Sequence, residues 1–174
     1  MQGNDEAKKY ATELKVIREK GFRKNHFSRP EYLEAWELEI ETAIKLYHKD
    51  YEAAIQLAKQ ATLVEEKLPS PSGPPRILKP TYELLGEVYL KAGKPKKAKE
   101  QFNISLRRHP NRMRSLIGAA RSAKLSGDKI IAKHNYERLS SILKNADPAF
   151  PELKEAKAFL ENFKMNHLQD IIDF

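Results

Sequence analysis

The chain matches itself when shifted by 34 residues. Gly93 falls on Gly127, Ala98 on Ala132, Lys99 on Lys133 and Phe102 on Tyr136, while Gly86 falls on Ala120 and Tyr82 on Leu116. Each unit reads as helix, Gly-containing turn, helix. One such hairpin cannot bury its apolar face alone, so units of this period must stack and share a core. The small residues at 86, 98, 120 and 132 let neighbouring helices approach closely. Tyr89 and Phe102 fill the space this leaves, Gly93 supports the turn, and Pro110 stops the second helix.

Apolar spacing extends helices over most of the 174 residues. Ala7, Tyr10, Leu14 and Ile17 predict an amphipathic helix over about 5–20, ended by Gly21. Ser28 and Glu31 form a capping box, with Phe27 and Tyr32 as its apolar staple. The helix that follows is expected to bury Leu33, Trp36, Ile40, Ala43 and Tyr47, and the next one Ala54, Leu57, Ala58, Ala61 and Val64. Between Leu68 and Lys79 lie four prolines and a glycine, which forbid regular helix. Further helices are expected over about 80–92, 95–109, 112–126 and 128–145. Pro151 then opens one of about twelve residues, carrying Leu153, Ala156, Leu160 and Phe163 inward. Leu168, Ile171, Ile172 and Phe174 form either a last short helix or a loosely docked tail. Nothing reads as a strand.

The run Tyr82-Glu83-Leu84-Leu85-Gly86-Glu87-Val88-Tyr89, followed by Gly93, Ala98, Phe102 and Pro110, resembles a tetratricopeptide repeat, and the chain resembles bacterial proteins of that family. The match is strongest over 79–112. It continues over 113–146 through Ala119, Ala120, Gly127, Ala132 and Tyr136, although Ala123 replaces a tyrosine and Lys144 the exit proline. It is degenerate over 29–68. The organisation expected is one domain: an N-terminal helix and loop (1–28), the degenerate repeat, a Pro-rich insertion (69–78), two repeats, and a C-terminal capping helix with tail (147–174). The insertion reads as a packed connector anchored by Ile77 and Leu78; a loop that contacts ligand is the alternative. The resemblance implies an all-α, right-handed superhelix of stacked antiparallel helix pairs, with a concave groove and a protein-binding role. It implies no substrate.

Charge is concentrated. The formal net charge is +8, and the segment 91–114 alone holds nine bases against the single acid Glu100, whereas 147–174 holds six acids and three lysines. A basic band of Lys94, Lys96, Lys97, Lys99, Arg107, Arg108 and Arg112 attracts acidic partners by long-range steering. A solvated lysine-rich face is the plainer reading. Nucleic acid is disfavoured, because no aromatics interleave with the bases as a stacking platform requires. No apolar run approaches a membrane span. The first residues carry no apolar signal core, and the compartment stays open. The absence of cysteine excludes disulfides and thiolate chemistry.

No catalytic or metal-binding constellation emerges, and no cofactor is expected. His26, His48, His109, His134 and His167 share no ligand spacing. Acid pairs such as Glu37/Glu41 and Glu65/Glu66 read as solvated helix faces. The groove is the candidate site, lined by Glu83, Leu84, Glu87 and Leu90 from one first helix and by Arg114, Ile117, Arg121 and Lys124 from the next. The arginines can hold carboxylates in bidentate fashion, so the partner expected is a protein or peptide, possibly acidic. Solvated charges with intrahelical partners are the alternative. The Lys/Asn/Arg set with which some family members clamp a C-terminal carboxylate does not carry over, since Leu84 and Gly118 stand where Asn and Arg are wanted. The function expected is a non-catalytic scaffold. Polyanion binding through Lys91–Arg114 and self-assembly through uncapped ends are the alternatives, with a monomer favoured.

Overall fold

The structure, a computed structural model, describes residues 2–20, 30–68 and 79–172. Gly21, His26, the Phe27–Ser28 cap, the 69–78 insertion with Ile77 and Leu78, and Phe174 lie outside them. Among the described residues every regular element is an α-helix. The helices fall into two compact units, Met1–Gly93 and Lys94–Phe174.

The first unit holds α1 (Gln2–Glu19), α2 (Pro30–Tyr47), α3 (Tyr51–Glu66) and α4 (Thr81–Lys91), each packed on the next. The α2–α3 turn uses Lys49 at φ 59°, and Asp50 caps α3 by accepting from the Ala53 N–H at 3.2 Å. Along α3 the expected stripe is buried at Ala54, Ala58, Ala61 and Val64, joined by Ile55. The outer helices depart from expectation. On α1, Ala11 is buried, but Tyr10 and Ile17 are 55% and 42% exposed. On α2, Leu33 is buried as expected, Ala43 and Tyr47 are exposed, and Ala35, Glu37 and Thr42 are interior. Polar bonds favour that rotation. Arg18 Nε donates to Glu37 at 3.0 Å, and Thr42 bonds back to the Leu38 carbonyl at 2.6 Å.

Buried Glu65 closes the α3–α4 junction. Its Oε2 accepts from both the backbone N–H (2.7 Å) and the hydroxyl (2.6 Å) of Thr81. Pro80, at the cap position, offers α4 no side-chain acceptor, so the carboxylate of a neighbouring helix satisfies that terminus. Beside it, the Tyr82 hydroxyl donates to Glu66.

The second unit holds α5 (Pro95–Arg108), α6 (Met113–Leu125), α7 (Lys129–Ile142) and α8 (Pro151–Ile172), again each on the next. Pro95 opens α5, where its missing N–H costs nothing. Asn111 (φ 64°) and Gly127 (φ 82°) turn the chain between helices, and Asp128 caps α7. The interior is tiled by residues with little or no side chain. Ala119, Ala120, Ala123 and Ala132 are fully buried, as are the rings of Phe102 and Tyr136. Gly118 is the tightest point: a Cβ there would lie 2.4 Å from the Phe102 ring, so only glycine lets α6 sit this close to α5. The helix opened by Pro151 runs on to Ile172, longer than its apolar pattern predicts.

Candidate protein-binding faces

Beyond the packing of each helix on the next, side-chain bonds link alternate helices of the second unit. Lys99 on α5 pairs with Asp128 at the start of α7 at 2.8 Å, and Arg138 on α7 donates to Asn111 at the end of α5 at 3.0 Å. α5 and α7 are therefore tied near both ends. On the other side, Arg121 of α6 meets Glu155 of α8. Its Nε lies 3.0 and 3.1 Å from the two carboxylate oxygens and one Nη 2.6 Å from Oε2. The two residues are 34 apart, the repeat length itself.

The Arg121–Glu155 pair is reinforced from behind. The hydroxyl of Tyr136, whose residue is fully buried, donates to Glu155 Oε1 at 2.7 Å. Burial is the largest single influence on Glu155 and pushes its carboxyl upward. Hydrogen bonds from Arg121 and Tyr136 outweigh it and hold the carboxyl below the usual glutamate range. Burial, then the bond to Glu155, keeps the Tyr136 phenol protonated well beyond its ordinary range. One turn further along, Lys124 lies 5.8 Å from the centroid of the Phe159 ring, and Phe159 stacks at 4.6 Å on Tyr136.

The candidate groove residues occupy different environments. On α4, Glu83 and Leu84 are interior, Glu87 is half-buried with Lys79 at 2.8 Å, and Leu90 is half-buried. On α6, Ile117 is interior, Arg114 and Lys124 are exposed, and Arg121 is engaged by Glu155. The two sets belong to different units. Within the basic band, Lys96, Lys97, Arg107 and Arg108 are exposed, Lys94, Lys99 and Arg112 are half-buried, and Lys99 is neutralised by Asp128. Lys99 in turn holds the Asp128 carboxyl below its ordinary value. Among the described residues no cluster of His, Asp and Glu is placed to hold a metal ion, and no helix is long and apolar enough to cross a membrane.

Sequence reasoning passed over Glu155, Phe159, Leu125 and Ile130. The first was within reach, since adding the period to Arg121 lands on Glu155. The last two carry no pattern signal; they emerge only as large aliphatic side chains 67% and 69% exposed on either side of the α6–α7 turn.

No protein-family model matches the chain, and no curated protein matches it in sequence. Among solved structures it is similar to PcrH from Pseudomonas aeruginosa. The TM-score is 0.57 at 15% identity, over 82% of this chain and 94% of that one. The likeness shows the fold: an all-helical, tetratricopeptide-like repeat structure.

Proposed function

We propose that this chain is a non-catalytic scaffold that binds another protein through the exposed faces of its stacked helices. The supporting observation is the 34-residue register of Arg121 on Glu155. On this reading α6 and α8 are successive first helices, the arrangement by which helical-hairpin arrays build extended binding surfaces. Each unit then offers its own face. In the first, Leu90 is half-buried, with Glu83 and Leu84 beneath it and Glu87 held by its ion pair. In the second, Arg114, Lys124 and the edge of Phe159 are open to a partner segment, with Ile117 beneath and Arg121 held by Glu155.

The test is affinity purification of the full tagged chain from its source cells, with chemical cross-linking and mass spectrometry. The expected result is a discrete protein in near-stoichiometric amount, cross-linked to lysines of the helical faces. Elution of the chain alone under gentle conditions overturns the scaffold.

Self-association is the second reading, favoured by the exposed Tyr10 and Ile17 on α1. Light scattering over a concentration series should then give a rising mass that Tyr10→Ser/Ile17→Ser abolishes. A constant monomer mass removes this reading.

A further inference from the structure

The two sides of the second unit differ in how far their charges cancel. On the α6/α8 side, the two helices carry Arg114, Arg121, Lys124, Lys154, Lys157 and Lys164 against Glu152, Glu155, Glu161 and Asp170, and Arg121 is locked to Glu155. On the α5/α7 side, the pairs Lys99–Asp128 and Lys133–Glu137 (each 2.8 Å) cancel internally. Lys96, Arg107, Lys129 and Arg138 add further positive charge, with Glu100 as the single further acid on these two helices. Bases so concentrated on one face raise the local concentration of an acidic partner and speed its encounter.

This face also carries apolar surface. Ile130 is exposed beside Lys129, Ile131 is partly exposed, and Leu125 stands across the turn. Between them and the start of α5 runs a shallow depression lined by Lys96, Lys99, Glu100, Ser126, Gly127 and Asp128. Large aliphatic side chains left in water next to Lys129 and near Lys96 suit a partner with both carboxylates and apolar side chains. A nucleic acid would supply the charge but make no use of the isoleucines. Nor would it find a stacking platform, because Phe102 and Tyr136, the six-membered rings of α5 and α7, are fully buried.

We infer that the α5/α7 face of the second unit is a docking surface for an acidic, amphipathic polypeptide segment, its carboxylates on Lys96, Arg107 and Lys129 and its apolar side chains on Ile130 and Leu125. This deepens the scaffold reading by naming the partner's chemistry, and it rests on that reading.

The experiment is fluorescence anisotropy with the full chain and a labelled glutamate-rich peptide carrying two leucines one helical turn apart. The controls are its glutamine counterpart, a DNA duplex and vesicles of anionic phospholipid. Wild type should bind the acidic peptide, weaken with salt, and ignore the glutamine version. Lys96→Glu/Lys129→Glu should lose roughly tenfold or more in affinity, mainly through slower association. Ile130→Ser should lose roughly threefold to tenfold with its salt dependence unchanged, at about the scale of one buried aliphatic side chain. Lys154→Glu/Lys157→Glu, exposed on α8, should stay within about twofold, since charges beyond a Debye length are screened. Circular dichroism melts confirm that each variant is folded. The inference is overturned if the α8 reversal causes the loss, if duplex or vesicles bind as tightly and compete, or if the peptide does not bind wild type. Co-purification of a non-acidic partner together with any of these leaves the scaffold standing and removes only this surface.

Discussion

Both units pack alanines in their interiors; the first adds carboxylate junctions between its helices, and the second adds a glycine set hard against an aromatic ring. In the first, Glu37 holds Arg18 across α1 and α2, and Glu65 caps α4 from α3. In the second, Gly118 and a row of alanines bring α6 so close to its neighbours that Phe102 and Tyr136 fill the remaining space. The two solutions fail differently. A carboxylate junction tolerates changes in shape but not the loss of an acceptor, because the buried donors it satisfied are then left unpaired. A small-residue junction needs no polar partner but has no room for one more methyl group.

Gly118→Val should break the second unit hardest. The added branches meet the Phe102 ring well inside contact distance, and the expected cost is about 3 kcal/mol or more, read as a lower urea midpoint. Gly118→Ala should cost less, because the ring can give by part of what the valine demands. In the first unit, Glu65→Ala should cost about 2 kcal/mol, leaving the Thr81 N–H and hydroxyl without their acceptor. Glu65→Gln, which keeps an acceptor oxygen, should recover much of that. If Glu65→Ala proves neutral while Gly118→Ala is severe, both units rest on packing and the contrast between them disappears.

Glu155 sharpens the comparison, because it is a carboxylate junction placed within the small-residue unit. Glu155→Gln should cost about 1 kcal/mol at neutral pH, between the values of exposed and buried pairs. A carboxyl held below its ordinary value near 4.5 contributes fully above that value. The contribution is lost as pH falls through the lower native value. Thermal melts of wild type should therefore fall toward those of Glu155→Gln on acidification below about pH 4.5, whereas above it the gap should stay constant. An effect of similar size is expected of Gly127→Ala. The turn runs at φ 82°, with nothing near a new Cβ, so only backbone strain of about 1 kcal/mol is added.

The same contrast explains what the sequence made legible. Small residues at fixed spacing are visible as a period, so the hairpin from Met113 to Ile142 and the buried positions 86, 98, 120 and 132 follow from the residues alone. Carboxylate junctions have no period. Glu37 and Glu65 look like any surface glutamate until a donor from another helix is placed opposite, so the rotation of α2 and the capping of α4 could not be read. The α1 stripe was legible as a pattern but not in its destination, since an amphipathic helix is buried only where a neighbour covers it. For the candidate site, charge could be counted along the chain but not its cancellation. That Arg121 is engaged by Glu155 while Lys96 lines one depression with Asp128 follows only from how the helices lie together.

α8 carries partly uncovered apolar surface on its later turns. Phe163 is only partly covered and Met165 is largely open to water, on a helix with no successor packed against it among the described residues. A designed helix joined through a glycine turn and carrying alanines at the spacing of Ala98 and Ala132 would find there a ready mate. The array could thus be lengthened in steps of one period, giving a molecular ruler whose reach is set by the number of modules added.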